Sequence, residues 1–199
     1  MIFAAVAALL WVVRLVMFVA LHLVRSDYSP VRHAVSDYAV GRTRTLSSIM
    51  TWTTAAAWAA LAAAVWSGLP NWSARGGIAA WLLVLAVIFL VLPFVPTTLE
   101  GEQATVIGRL HMLAAVSWFA ISYSCMSDFV RLAESSVGGV LAFTLIVLSW
   151  IALVGLIVLV ASLVLPGLRS RTFGISERVF IVAVNLFYLL AAVVLLVAA

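Results

Sequence analysis

Long apolar runs alternate with short polar connectors along the whole chain, and within each run the apolar residues are continuous rather than spaced in period two. Six runs, about residues 2–24, 46–67, 77–95, 106–129, 139–165 and 176–198, have the roughly 20 residues that a helix needs to cross a bilayer core. A backbone in lipid must satisfy its own hydrogen bonds, which leaves helices or a closed barrel, and unbroken apolar runs select helices. The pattern predicts an all-α integral membrane protein: a six-transmembrane-helix bundle forming a single membrane domain over residues 1–199. The first 24 residues carry neither a basic leader nor a small-residue cleavage site, so the first run reads as a retained span.

Six spans return the chain to its starting side and gather the connectors between spans one and two, three and four, and five and six on the other, here called the motif side. The longest polar stretch lies there, Asp27 to Arg44, reading DYSPVRHAVSDYAVGRTR. Ser29-Pro30 is a helix start with Ser as cap and Pro in the first turn, and Gly41 is a stop, which predicts a short interfacial helix from about Pro30 to Val40. On it His33, Ser36 and Asp37 share one face, while Val31, Ala34, Val35 and Tyr38 make the other. Ser176 is expected to cap span six, with Glu177 in its first turn suiting the positive end of the helix dipole.

Composition agrees with the pattern: 66% hydrophobic, 9% charged and a mean hydropathy of +1.26, against about 25% charge in a soluble domain. There is no lysine, so the formal charge of +4 is carried by arginine alone. No basic exposed domain is left over for a nucleic-acid partner. Cys125, the single cysteine, cannot make an internal disulfide and reads as a small buried hydrophobe.

The charge is placed unevenly. All three histidines and five of the seven acids fall on the motif side, with Arg42-Thr43-Arg44 and Arg169-Ser170-Arg171 as two Arg-x-Arg pairs. The connector before span four adds Glu100, Glu102 and Arg109, and His111 follows in its first turns. On the far side Asp128, Arg131 and Glu134 are spaced as a solvated helical charge set. Arg14 stands near the middle of span one, where a cation costs at least a few kcal/mol unless it faces protein or a cavity, so it is expected to point inward. Eight motif-side arginines against Arg75 and Arg131 opposite put the motif side in the cytoplasm by the positive-inside rule.

Several chemistries fit these residue types. His33 and Asp37 at i, i+4 with His111 would make a two-His, one-carboxylate metal set, and two of His22, His33 and His111 would be haem ligands, but no paired ligand ladder is present, and we assign no metal and no cofactor. His33 or His111 with Asp37 would activate Ser36 as a nucleophile for an intramembrane hydrolase or acyltransferase, although no G-x-S-x-G-like turn is present. The catalytic candidates are thus His33, Ser36, Asp37 and His111. The reading that needs no bond-making is a lipid or amphiphile pocket, with Asp37, Tyr38, Arg42, Arg44, Arg109, His111, Glu177 and Arg178 as the binding set and membrane lipids as partners. In the alternative, Asp37 and Glu177 pair with Arg109, Arg178 or Arg14 to lock the helices of a scaffold or accessory subunit that has a protein partner in the membrane. In either case the location expected is the cell membrane, multi-pass.

At SDYAVG (Ser36 to Gly41), G-R-L-H (Gly108 to His111) and G-I-S-E-R (Gly174 to Arg178) the chain resembles the membrane family called domain of unknown function 998. The resemblance implies Ser36, Asp37, Tyr38, Gly41, His111, Glu177 and Arg178 as signature positions. After Pro96 the chain has Thr97-Thr98-Leu99-Glu100 where the family pattern has Thr-Asp-Pro, which leaves Glu100 as the substitute acid. More distantly, the Ser-Asp-x-x-Gly after span one and the early span-four histidine are similar to the eukaryotic Frag1, damage-regulated autophagy modulator and Sfk1 group. That likeness implies lipid handling and an extracytoplasmic first loop, opposite to the orientation by charge. Alanine, valine and arginine usage without lysine points to a high-GC bacterial source.

Overall fold

The computed structural model describes residues 1–26, 28–99, 102–103 and 105–198; Asp27 and Glu100, two of the motif-side acids, lie outside the described residues. The described chain folds into seven helices: α1 (Ile2–Leu23), α2 (Arg44–Gly68), α3 (Arg75–Val91), α4 (Val106–Ser124), α5 (Met126–Ser136), α6 (Gly139–Val164) and α7 (Pro166–Ala198). Six segments among the described residues are long and apolar enough to cross a membrane, α4 and α5 together making one of them. The six-helix membrane architecture read from the apolar runs is therefore the fold observed.

Aromatic side chains pack the middle of the bundle where α1, α2, α5 and α7 meet. Trp11 of α1 meets Trp58 of α2 edge-on at 4.8 Å, and both pack on Tyr188 of α7. Tyr188 also takes Phe129 of α5 edge-on and donates its hydroxyl to the Ser122 carbonyl of α4. Helices α6 and α7 approach closely because Gly155 faces the Phe180 backbone; a Cβ there would sit 3.0 Å from the Phe180 nitrogen. Helix α4 is the least enclosed, burying only His111, Trp118 and Ser122, so it stands partly away from α6 toward the motif side.

Two local expectations are corrected. The first connector is not a helix from Pro30: Ser29 to His33 form a tight turn, and the helical piece is a 3₁₀ turn at Val35–Ala39. The reason is a competing cap, since the Asp37 carboxylate accepts the Ala34 N–H at 3.0 Å while the Asp37 N–H donates to the Ala34 carbonyl. Gly41 does end that turn, at φ +71°, a backbone region open to glycine.

The sixth span begins at Pro166 rather than 176, so Arg169, Arg171 and Gly174 are helical. Ser176 is no cap; it lies inside α7 and its hydroxyl donates to the Phe173 carbonyl. Proline suits a helix's first turn, and Gly174 serves packing instead of ending a helix. Its missing side chain lets the first connector lie against α7, where the Gly174 N–H donates to Val31 O at 3.0 Å.

Candidate functional site

The first motif-side connector lies on the opening turns of α7, which stand where a third connector was expected. At their junction Arg178 holds three acceptors: Nε donates to His22 Nε2 at 2.8 Å, and Nη1 to the carbonyls of His33 and Gly174 at 2.8 and 2.9 Å. The bond from His22 Nδ1 to Phe18 O fixes the proton on Nδ1 and leaves Nε2 as the acceptor for Arg178. Tyr38 is buried beneath this hub, its ring against His22 and Tyr28 and its hydroxyl on Tyr28 O. One residue earlier on α7, Glu177 Oε2 accepts the Val35 N–H at 2.6 Å. Arg178, Tyr38 and the Glu177 contact thus hold the first connector on α7 through backbone groups and a histidine. On the far side, where the charge spacing placed it, Arg131 pairs with Asp128 at 2.7 Å.

Beside this hub lies a cavity of about 260 Å³. One wall is a face of α4, Met112, Ala115, Val116, Phe119 and Ala120; the other is a face of α6, Leu156, Leu159, Val160 and Leu163. Each set follows helical spacing, i, i+3, i+4 and i+7. Met112, Val116 and Val160 are about half exposed, so the cleft opens outward between the two helices. Its motif-side end is polar: Arg32, Ser36 and Asp37 from the first connector, Thr97 and Thr98 from the second, His111 from α4, and Arg169 and Glu177 from α7. The loop carrying Thr98 lies directly over Gly108, where any side chain would collide with it. His111 Nδ1 donates to Val95 O at 2.6 Å, so the ring is held by the second connector with Nε2 left for a ligand.

A second, smaller cavity of about 90 Å³ adjoins the first across Ser36, His111, Ala115, Phe119 and Glu177, which line both. It runs down between α1, α2, α3, α4 and α7 to Arg14, which is 4% exposed as its mid-span position required.

The site residues expected from sequence divide accordingly. Ser36, Asp37, His111 and Glu177 line the 260 Å³ cavity together. Tyr38 and Arg178 support it from behind. His33 is turned away, accepting the Ser29 N–H at 2.7 Å on Nδ1 and packing edge-on against Tyr28, so the His33, Asp37 and His111 metal set is not assembled. Among the described residues no group of three His, Cys, Asp or Glu is placed to hold a metal ion. Among the described residues no hydrogen bond joins Ser36 to a histidine or carboxylate. Arg42, Arg44 and Arg109 are exposed; Arg44 lines a further cavity of about 370 Å³ with His111, Pro93 and Pro96, while Arg42 and Arg109 line neither of the two above. Missing from the expected set were Arg32, Arg169, Thr97, Thr98 and both apolar walls. Arg169, Phe173 and Glu177 form an i, i+4, i+8 stripe, a signal that exists only when α7 is read as continuous from Pro166.

No curated protein and no solved structure matches the chain. A family model described as "protein of unknown function (DUF998)" matches residues 4–194. That match runs from the first turn of α1 to the last turns of α7 and takes in every connector that builds the two cavities, so the chain belongs to the DUF998 family.

Proposed function

We propose that the protein binds an anionic amphiphile of the cell membrane, with its apolar chain between α4 and α6 and its headgroup beneath the first two motif-side connectors and the opening turns of α7. The observation that carries this reading is the cleft itself. It has two apolar helix faces that leave about 260 Å³ between them, and one end capped by Arg32, Arg169, His111 and hydroxyl groups. Such a division, apolar wall with a few converging polar groups, is what a ligand pocket presents, and guanidinium groups favour the oxygens of anionic headgroups. The outward opening between α4 and α6 gives a lipid a lateral path in. His111 Nε2 and the Ser36 hydroxyl supply an acceptor and a donor to orient the head.

Native mass spectrometry of protein extracted with its own lipids tests this. The wild type should retain one anionic lipid class under activation that strips annular lipid. Ala120→Trp, which places an indole in the cleft from a position half open to the membrane and leaves the motif-side hydrogen bonds alone, should lose that lipid at least tenfold. Equal retention by both proteins would remove the cleft from consideration.

A further inference from the structure

The inner cavity has a feature that the amphiphile cleft does not explain. Arg14 sits in the buried row of α1 between Trp11 and Phe18, its guanidinium 5.2 Å from the Phe18 ring centroid and its Nε on Thr54 Oγ1 at 3.4 Å. Its Nη1 is buried and has no hydrogen-bond partner among the described residues. It makes no ion pair with any described acid. A cation nine residues inside the end of α1, about 13 Å deep in the bundle, is costly without a counter-charge. The same cavity is bordered by Ser47 and Ser48 of α2, and by His111 and Glu177 at its motif-side end. Thr51 and Thr54 donate their own hydroxyls to Ser47 O and Met50 O, so they offer lone pairs toward Arg14 and no further proton. No acceptor among the described residues reaches Nη1, and the chamber's volume of about 90 Å³ leaves room for an anion that would.

We propose that the inner chamber is an oxyanion site built on Arg14, taking a single negative charge carried by a carboxylate or phosphate group. The planar guanidinium matches either group through paired N–H donors. Only one cation faces the ligand there, and the Glu177 carboxyl borders the motif-side wall, so a monoanion is preferred over a dianion. Ser47 and Ser48 add hydroxyl donors from the α2 side. The proposal concerns a different cavity from the amphiphile cleft and holds whether or not a lipid occupies that cleft. Because the two cavities adjoin, the anion is either a free solute entering from the motif side or the head of a lipid reaching inward.

Thermal unfolding of the full chain separates these possibilities. In neutral detergent, sodium acetate and inorganic phosphate are compared with sodium chloride at equal ionic strength; in nanodiscs, phosphatidylglycerol is compared with phosphatidylcholine. At about ten times Kd the bound anion should raise Tm by about 3–5 °C. A rise with acetate or phosphate identifies a free anion, and a rise with phosphatidylglycerol alone identifies a lipid headgroup. Arg14→Gln should abolish the rise and, because it removes an uncompensated buried charge, leave the anion-free Tm at or above wild type. Ala120→Trp should keep a response to acetate or phosphate, since it obstructs only the cleft, and should lose a response to phosphatidylglycerol, whose chain would have to lie there. If Arg14→Gln cannot be purified, Ser48→Leu, which fills the chamber and keeps Arg14, must remove the response instead. The proposal is overturned if no probe shifts the wild type beyond chloride, if either chamber variant responds fully, or if Arg14→Gln lowers the anion-free Tm by more than about 5 °C, the mark of a structural anchor or of water alone in the chamber.

Discussion

Arg178 shows how one side chain can carry the junction of three chain segments. Each of its bonds goes to a group that has no easy substitute: the unprotonated nitrogen of His22, a connector carbonyl at His33 and a helix carbonyl at Gly174. The ring of Tyr38 lies 5.6 Å from its guanidinium, adding a cation–π contact. Replacing it with methionine keeps the stem but strands the His22 nitrogen and the His33 carbonyl. Leaving two such acceptors unpaired costs about 2–4 kcal/mol, which lowers Tm by roughly 5–15 °C for a chain of this size. The measurement is Tm in detergent; a change below about 2 °C would mean that the hub is dispensable. Residue identity at this point was legible in the sequence, since Arg178 and Tyr38 stand in the motifs that carry the family resemblance. Their role was not, because an exposed ligand contact and a buried clamp draw on the same polar side chains.

Between elements, the decisive contact is the first connector on α7. Gly174 permits it: a Cβ at that position would lie 2.5 Å from Pro30 O and 2.8 Å from His33 O, both backbone atoms tied into the turn. Gly174→Ala therefore forces the connector outward, at a cost of about 2–3 kcal/mol from overpacking. Amide hydrogen exchange should show residues 29–39 losing protection, while α6 and the far half of α7 keep theirs; unchanged exchange in the connector would contradict the docking described. This scale is also where sequence reading was weakest. Glycine and two arginines between Pro166 and Ser176 looked like a connector, because glycine is the commonest sign of a helix end. In the fold the same glycine is a packing position inside a 33-residue helix. Likewise Ser29-Pro30 offered a plausible helix start, and only the reach of Asp37 back to Ala34 decided otherwise.

For the molecule as a whole, continuous apolar runs were enough to give the number and order of the spans, because lipid enforces length and hydrophobicity on every helix. They could not give the cleft. Its walls on α4 and α6 are apolar stripes in helices that are apolar on every face, so no contrast in the sequence marks them. The polar end was legible as an asymmetry of charge, and the structure gathers Ser36, Asp37, His111 and Glu177 there. The aromatic packing in the middle of the bundle and the polar-capped cleft of the motif half give these two parts of the molecule different characters. The most direct test is to reconstitute the protein with an anionic lipid that carries a photoreactive diazirine on its acyl chain, irradiate, and map the labelled peptides. The account predicts label concentrated on Met112–Ala120 of α4 and Leu156–Leu163 of α6, and suppressed by excess unlabelled lipid of the same head. Label spread evenly over the outward faces of α1, α3 and α6, without competition, would show that the cleft holds no amphiphile.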